Sequence, residues 1–326
     1  MNEDIFVLIE HLQDRVLDIS YVLVAQARRL AEISGGQVKA LLLGSGAAGP
    51  CGKDLAVDEV LSWDHPALAE FTAEAYLKVL AGLLAENSPR LVLFGDTTIG
   101  GETAGGLSCR LGLPLVSLCL SIRAEGANFQ YKSQICAGKI LVEGLLPAKT
   151  TVLVAMLPGE VKGEPGKSAR PPTITAMPLP TLDGLRVSVR QIIEPVAGDV
   201  DISKEALLIS VGRGIQQKDN IEMAQELAEA LGAVVTGSRP IVDQGWLPIS
   251  RLVGRSGKAV RPKIYFALGI SGASEHVEAI TGSDMIVAIN TDPAAPIFNL
   301  AKYGANVDVL DLLPVLTEQV RQAKGG

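Results

Sequence analysis

The sequence has few aromatic residues and few cysteines. Phe, Trp and Tyr make up only 4% of the 326 residues, whereas hydrophobic residues make up 48%. The core must therefore consist mainly of Leu, Val, Ile and Ala, which is typical of α/β proteins with buried parallel strands. Cys51, Cys109, Cys119 and Cys136 are at least ten residues apart. The chain therefore has no CxxC pair for a metal site or a redox disulfide.

Basic runs and long apolar runs are also missing. The formal net charge is −7, and this acidity disfavours binding to nucleic acid, which requires a basic surface. The longest apolar runs, such as residues 151–158, are far too short to span a bilayer. The first residues also lack the basic region of a secretory signal. We therefore expect a cytoplasmic protein without direct membrane insertion, whose partners are proteins or small molecules.

The first part of the chain begins as alternating strands and helices and ends as strands alone. Apolar runs predict strands at residues 5–9, 38–43, 57–63 and 90–95, and three-to-four spacing predicts helices at 18–32, 67–86 and 98–111. Four predicted strands without intervening helices follow, at 115–122, 128–134, 139–143 and 150–157. We expect a loop or extended segment at 158–180, which is rich in Pro, Gly and charged residues, a last strand at 185–193, and a domain boundary near residue 203.

The second part returns to strict alternation. It has predicted strands at 206–211, 233–236, 263–268, 285–290 and 307–310. One predicted helix ends at Gly232, and two others start after Ser271 and Leu312. This pattern predicts a doubly wound parallel sheet with helices on both faces. Such sheets bind their ligands at the carboxyl ends of the strands.

Gly44, Gly46 and Gly49 match the G-x-G-x-x-G pattern of dinucleotide-binding loops. That pattern requires the glycines to open a helix. Here Pro50 and the residues after it begin no amphipathic run, so we interpret the segment as an ordinary flexible loop.

Residues 237–276 combine several glycine turns with charged and hydroxyl side chains. Glycine lets backbone approach a ligand closely, so these turns predict a surface built around one bound molecule. The turn at 269–273 is either an anion site or a plain turn between a strand and a helix. Arg239 is either a fixed charge at the sheet edge or a solvated one. His276 is either structural or functional.

Short motifs occur in a fixed order between residues 206 and 311. They are Gly212-Arg213-Gly214, Gly237-Ser238-Arg239, Val242-Asp243, the segment 253–258, Tyr265, the segment 269–276, the segment 286–290, Asp292, the segment 295–298 and Tyr303-Gly304. This order resembles the alpha subunit of electron transfer flavoprotein. The likeness is looser upstream, at residues 7–11, 41–44 and 97–111.

The resemblance implies a heterodimer with a beta subunit. Residues 1–203 would form an N-terminal α/β domain with extra strands that contacts the beta subunit, and residues 204–326 would form the FAD-binding domain. The flavin contacts implied in this way are Arg213, Ser238, Arg239, Val253, Gly254, Arg255, Ser256, Ser271, Gly272, Ala273, Ser274, Glu275, His276, Asn290 and Asp308.

The resemblance also implies a role for several of these residues. Arg239 would lie beside the isoalloxazine ring, Ser256 would reach flavin N5, and His276 would donate a hydrogen bond at the pyrimidine edge. The remaining assignments are phosphate for Ser271 and Gly272, and the adenosine half for Asn290 and Asp308. The family often has Gln where this chain has Leu252, Arg255 and Glu275. The resemblance therefore does not fix the redox potential of the flavin in this chain.

The resemblance favours an FAD-dependent electron carrier that takes electrons from a dehydrogenase, such as an acyl-CoA dehydrogenase of fatty acid β-oxidation. An electron-bifurcating complex that oxidises NADH on a second FAD is an alternative within the same family. A nicotinamide-dependent dehydrogenase using the 44–49 loop and an interaction subunit without a cofactor are alternatives from other classes.

Overall fold

The structure is a computed structural model. It describes residues 2–12, 14–125, 128–136, 138, 140–147, 149–157, 166–192 and 200–325. The chain divides into two compact units, residues 1–192 and residues 193–326. The boundary near residue 203 remains a prediction.

The N-terminal unit is built on strands that are buried on both faces. Its strands are β1 (Ile5–Leu8), β2 (His11–Leu12), β3 (Arg15–Val16), β4 (Val38–Gly44), β5 (Glu59–Asp64), β6 (Leu91–Gly95), β7 (Leu115–Glu125), β8 (Asn128–Ile135), β9 (Ile140–Leu145), β10 (Val152–Met156) and β11 (Thr173–Ala176). Its helices are α1 (Asp18–Ser34), α2 (Ala48–Gly52), α3 (Ala73–Asn87) and α4 (Thr98–Leu111). Every residue of β1, β6 and β10 is buried, which is expected for parallel strands covered by helices.

Nine of these strands form one sheet in the order β11-β5-β4-β1-β6-β10-β7-β8-β9. The strands from β11 to β7 are parallel, whereas β7, β8 and β9 pair antiparallel. The prediction of an alternating domain that ends in extra strands is therefore confirmed. One of the four late strands, β10, instead joins the parallel part of the sheet.

Two predictions in this unit were wrong. The helix predicted at 67–86 is a short 3-10 helix at Pro66–Leu68 followed by α3. The predicted loop or extended segment contains the extended strand β11, which pairs with β5 and agrees with the second alternative; its residues 158–165 lie outside the described part. Residues 185–192 form no strand, and Val187 and Val189 are exposed. A stretch of alternating apolar and polar residues forms a strand only where a neighbouring strand pairs with it. The sequence pattern does not show whether such a neighbour is present. Ile193 lies outside the described residues.

The C-terminal unit is a five-stranded parallel sheet. Its strands are β12 (Leu207–Val211), β13 (Val234–Gly237), β14 (Ile264–Leu268), β15 (Met285–Ile289) and β16 (Tyr303–Ala305). Its helices are α5 (Ile221–Leu231), α6 (Arg239–Asp243), α7 (Ser274–Val277) and α8 (Val309–Gly325). The strand order is β13-β12-β14-β15-β16, and all pairs are parallel. The predicted doubly wound sheet is confirmed.

The end of this unit differs from the sequence prediction. The last strand is β16 rather than residues 307–310, and α8 begins at Val309 instead of after Leu312. Asp308 accounts for the difference, because its Oδ1 accepts a hydrogen bond from the Leu310 N–H at 2.9 Å. This contact satisfies a free amide at the start of the helix. The apolar run alone did not distinguish a strand from a helix.

The strand order of the C-terminal unit creates a crevice. After β12 the chain forms β13 on one side, and it then crosses to form β14 on the other side of β12. The connections that leave β12 and β14 therefore diverge at the carboxyl ends of these strands. In open α/β sheets this switch point is where ligands bind.

Glu10 is a buried carboxyl group just after β1 in the N-terminal unit. Its side chain is almost fully buried, and its Oε2 accepts a hydrogen bond from the Thr97 hydroxyl at 2.8 Å. Burial raises the pKa of Glu10 from 4.5 to about 7, although the hydrogen bonds oppose the rise. The folded state therefore holds this proton more tightly than the unfolded chain does.

We predict that Glu10→Gln removes a pH dependence from stability. The raised pKa of Glu10 stabilises the fold fully below pH 4.5, and this contribution is lost as the pH rises to about 7. The free energy of unfolding of the wild type, relative to the variant, should fall by about 3 kcal/mol over this range. Urea denaturation of both proteins at several pH values measures the difference. A difference that does not change with pH would contradict the raised pKa of Glu10.

Candidate flavin site

A cavity of about 740 Å³ lies at the carboxyl ends of β12, β13 and β14. This volume falls within the range of about 300–1,000 Å³ that is usual for cofactor sites. The lining residues are Gly212, Arg213, Gly214, Ser238, Arg239, Pro240, Val253, Gly254, Arg255, Ser256, Gly269, Ile270, Ser271, Ala273, Glu275, His276 and Asn290.

Two glycine turns are in direct backbone contact beside the cavity. A Cβ on Gly212 would lie 2.4 Å from the Gly269 oxygen, and a Cβ on Gly214 would lie 2.6 Å from the Gly269 Cα. The Gly214 N–H also donates a hydrogen bond to the Gly269 oxygen at 3.1 Å. Gly269 itself has a φ of +63°, which favours glycine. The turns after β12 and β14 can therefore approach this closely only because these residues have no side chain.

The side chains around the cavity carry a net positive charge. Arg213, Arg239 and Arg255 are its cations and Glu275 is its carboxylate. Arg239 forms an ion pair with Asp243 at 3.3 Å, and both side chains are largely exposed. Exposed pairs of this kind contribute about 1 kcal/mol or less, so the guanidinium can turn towards a ligand at little cost. The charge balance suits an anionic ligand such as a pyrophosphate.

Residues 253–258 form one wall of the cavity as a closed loop. The Gly257 N–H donates to the Gly254 oxygen at 2.9 Å, and the Gly254 N–H donates to the Lys258 oxygen at 3.3 Å. The Arg255 N–H donates to the Glu275 oxygen at 2.8 Å, which joins this wall to the turn after β14. The loop thereby presents the exposed side chains of Arg255 and Ser256 beside the cavity.

His276 lies buried in the cavity wall, with a partner on each ring nitrogen. Nδ1 lies 3.0 Å from the Val253 carbonyl oxygen, and Nε2 lies 2.8 Å from the Tyr265 hydroxyl. Burial lowers the pKa of His276 from 6.5 to about 4, so the ring is neutral at pH 7. A carbonyl oxygen only accepts, so Nδ1 carries the proton and Nε2 accepts from Tyr265. Donation from Nε2 to a flavin requires a further proton and a change of partner.

The structure places twelve of the fifteen predicted contact residues at this one cavity, and Gly272, Ser274 and Asp308 are not among its lining residues. Gly272 has a φ of +87°, and a Cβ there would lie 2.4 Å from the Ile297 nitrogen. The Ser274 hydroxyl donates to Glu275, and Asp308 accepts from Gln216 at 3.2 Å besides capping α8. The assignment of each residue to a part of the flavin remains a prediction.

The sequence-based contact set omitted five lining residues. They are Gly212, Gly214, Pro240, Gly269 and Ile270. Four of the five are adjacent to predicted contact residues, and Gly269 lies two residues before Ser271. Four of the five belong to motifs of the family resemblance. Their contribution is backbone and shape rather than a charged or hydroxyl group, and the contacts implied by the family resemblance did not include them.

Asn290 is held in place by its own neighbours. Its Nδ2 donates to the Ile270 oxygen at 2.9 Å, and its Oδ1 accepts from the Asp292 N–H at 3.0 Å. The amide thereby ties the end of β15 to the turn after β14. Asn290 therefore lines the cavity and also positions the turn after β14.

Comparison with known proteins assigns both parts of the chain to one family. Residues 5–182 match the model of the electron transfer flavoprotein domain, and residues 201–281 match that of the electron transfer flavoprotein FAD-binding domain. The chain is 30% identical over 324 residues to the electron transfer flavoprotein subunit alpha of Bacillus subtilis, which covers 99% of this chain and 98% of the relative. The chain belongs to the electron transfer flavoprotein alpha-subunit family.

Two other relatives of this family are informative. Protein FixB of Clostridium saccharobutylicum is 36% identical over 98% of this chain and 96% of its own length. The lactate dehydrogenase (NAD(+),ferredoxin) subunit LctC of Acetobacterium woodii is 30% identical over 97% of this chain and 76% of its own length. The name of LctC is that of one subunit of an enzyme that uses two redox partners.

Membership of the electron transfer flavoprotein family confirms the predicted cofactor, because its C-terminal domain model is that of an FAD-binding domain. The residues of the cavity fit this group. The close contact between the glycine turns sets their positions beside the cavity, and the three arginines supply donors for phosphate oxygens. The predicted electron-carrier family is confirmed in the same way.

The 44–49 segment does not have the geometry of a dinucleotide loop. It leads into α2, which has only five residues, rather than into a long helix. The Gly46 N–H donates to Asp64 Oδ1 at 2.9 Å, and His65 Nδ1 accepts from the Ala67 N–H at 3.1 Å. The expectation of a loop was wrong at Ala48 and Gly49, which lie in this short helix.

Within the described part of the chain, no helix combines the length and the apolar character needed to cross a bilayer. The cytoplasmic location remains a prediction.

We predict that Gly214→Ala impairs FAD binding. The added Cβ would lie 2.6 Å from the Gly269 Cα and would force the turns after β12 and β14 apart. We expect FAD affinity to fall by about tenfold or more, which corresponds to ~1.4 kcal/mol. Fluorescence titration of the flavin-free protein with FAD measures the affinity.

Gly105→Ala is the matched control for this substitution. No atom lies within 4 Å of a Cβ at Gly105, which is inside α4 of the other unit. FAD affinity should be unchanged, and stability should be equal or higher by up to about 1 kcal/mol because alanine favours a helix. Equal affinity in Gly214→Ala and the wild type would show that the contact between the turns does not shape the cavity.

Proposed function

We propose that this chain is the FAD-holding subunit of a soluble electron carrier that works as a heterodimer with a beta subunit. FAD, when bound, accepts electrons from one protein and releases them to another. The single observation that carries the proposal is the positively charged, glycine-lined cavity at the switch point of a domain that matches the family's FAD-binding model.

The proposed roles of the residues follow from their chemistry. Arg213, Ser271 and the turn at 269–273 would hold the phosphates, because guanidinium, hydroxyl and backbone N–H groups all donate to anions. Arg239 and Arg255 hold positive charge at the cavity wall and stabilise the negative charge that arrives with electrons. Ser256 offers a hydroxyl to the flavin ring from the loop at 253–258.

We assign contact with the beta subunit to the N-terminal domain, residues 1–203. The names of several relatives describe subunits, which supports assembly with a second chain. The strand β9 lies at the edge of the sheet, and Ile140, Leu141 and Leu145 are exposed on it. An exposed apolar strand at a sheet edge is a common protein interaction surface.

The donor we propose is a dehydrogenase that reduces its own flavin, such as an acyl-CoA dehydrogenase. The relative named lactate dehydrogenase (NAD(+),ferredoxin) subunit LctC supports a second candidate function. In that form a beta subunit with its own FAD oxidises NADH and divides the electrons between two acceptors.

Flavin counting distinguishes the two forms. We expect the chain co-expressed with its beta subunit to purify with one FAD per heterodimer that NADH does not reduce under anaerobic conditions. Two FAD with direct reduction by NADH would establish the bifurcating form instead. A colourless heterodimer that takes up no FAD would contradict the proposed function and support an interaction subunit without a cofactor.

We predict that Arg239→Ala lowers the reduction potential of the bound FAD. Loss of a cation at the cavity wall destabilises the reduced, more negative state. A decrease of roughly 30 to 60 mV is expected, or about 1.4 to 2.8 kcal/mol for two electrons. Anaerobic redox titration against a reference dye measures the potential.

Arg321→Ala is the control, because Arg321 is an exposed cation on α8 whose partner is Glu226 rather than a cavity residue. It removes the same charge and should change the potential by only a few millivolts, because solvent screens distant charges. Equal decreases in the two variants would mean that net charge, and not the position of Arg239, sets the potential.

A further inference from the structure

Among the described residues, Tyr265 is the largest side chain that is fully buried, and it lies beside His276 on the central strand β14. Its hydroxyl is 2.8 Å from His276 Nε2. The register between β12 and β14 pairs Leu208 with Tyr265 and Ala267 with Ser210. Since side chains alternate along a strand, Ser210 and Tyr265 are on the same face of the sheet.

The Ser210 hydroxyl completes this arrangement. It is fully buried, and among the described residues its Oγ has no assigned hydrogen-bond partner. Burial raises the pKa of Tyr265 well above its ordinary value, and the Ser210 hydroxyl opposes the rise. The Tyr265 hydroxyl contacts the His276 ring nitrogen, and Ser210, on the same face of the sheet, offers a buried hydroxyl without an assigned partner that can accept a hydrogen bond.

With a neutral His276 ring, the hydrogen bond between Tyr265 and Nε2 has one direction only: the hydroxyl donates and the nitrogen accepts. Nδ1–H donates to the Val253 oxygen, and Nε2 accepts from the Tyr265 O–H. If Nε2 were protonated, it would become a donor facing the tyrosine oxygen. A hydroxyl can reverse by rotation, because its oxygen accepts as well as donates. Tyr265 could then accept from Nε2–H and donate to Ser210.

We propose that Tyr265 and Ser210 are positioning residues that allow His276 to take up a proton when an electron arrives in the cavity. This inference rests on the proposed function. The proton comes from solvent and binds Nε2, while the Tyr265 O–H rotates from Nε2 to Ser210 Oγ. One positive charge on the ring balances one added negative charge, and no tyrosine proton is lost.

Other charged groups around His276 do not replace this proton. Glu275 is adjacent but exposed, and Arg255 lies across the loop contact. Glu278 follows α7, and the remaining cavity cations are Arg213 and Arg239. Burial lowers the pKa of His276 although the contact with the Val253 oxygen opposes this, and negative charge in the same cavity shifts the pKa in the opposite direction.

The test is nitrogen NMR on the heterodimer labelled with 15N-histidine, oxidised and fully reduced by dithionite at pH 7. The alpha chain contains only three histidines, and a His276→Asn sample identifies the signals of His276. In the wild type we expect Nε2 to be unprotonated when oxidised and protonated when reduced. In Tyr265→Phe we expect Nε2 to stay unprotonated, because no oxygen remains to accept from it.

A second variant keeps the proposal testable if Tyr265→Phe does not fold. Ser210→Ala removes the acceptor for the reversed hydroxyl, so the pKa of His276 in the reduced protein should fall below that of the wild type by about one unit, a tenfold change in proton affinity. Tyr303→Phe, an exposed tyrosine, and Ser283→Ala, another buried hydroxyl without an assigned partner, should behave like the wild type.

The reduction potential gives an independent readout. In the wild type, the potential of the first electron should fall with rising pH, by at most about 59 mV per pH unit, and the slope should be lost in Tyr265→Phe. A His276 ring that stays neutral on reduction in the wild type, or is protonated equally in Tyr265→Phe, would overturn the proposal. A heterodimer without FAD would instead overturn the proposed function on which it rests.

Discussion

The contact between two glycine turns is the constraint on which the cavity of the C-terminal unit depends. Gly212 and Gly214 follow β12, Gly269 follows β14, and their backbones are too close for any side chain between them. The strand order separates the chain on either side of this point, so it also marks the crevice of the sheet. Arg213 and Ser271 are carried by the same turns, and the glycine contact therefore sets their positions.

The cavity combines two kinds of electrostatic group. Exposed arginines supply permanent positive charge, whereas His276 is neutral and has both nitrogens bound within the protein. Permanent charge stabilises an anionic ligand in every redox state. A buried neutral imidazole differs, because it can add charge only when the electrostatic environment changes. Such a division is suited to a carrier that must hold its flavin firmly and still exchange electrons.

The N-terminal unit also contains parallel strands, but here they form the buried scaffold of the unit. Its central strands are buried on both faces, and Glu10 is enclosed where β1 ends. In the 44–49 segment the Gly46 N–H donates a hydrogen bond to Asp64, and the segment continues into the short helix α2. In the described residues, glycine spacing that resembles a nucleotide loop is thus part of the scaffold. The late strands β7 to β9 extend this sheet as an antiparallel edge.

The family resemblance implied twelve residues of the cavity, and the sequence by itself determined the class of fold and the five-stranded alternation of the C-terminal unit except its last strand. These features are local: apolar runs, a helix stopped by Gly232, and glycine turns after strands. Only the tertiary structure decided that β11 pairs with β5, that residues 185–192 form no strand, and that Asp308 caps α8. It also decided that Tyr265 and Val253 hold the His276 ring, because hydrogen bonds between distant residues depend on how the strands pack, which no local spacing encodes.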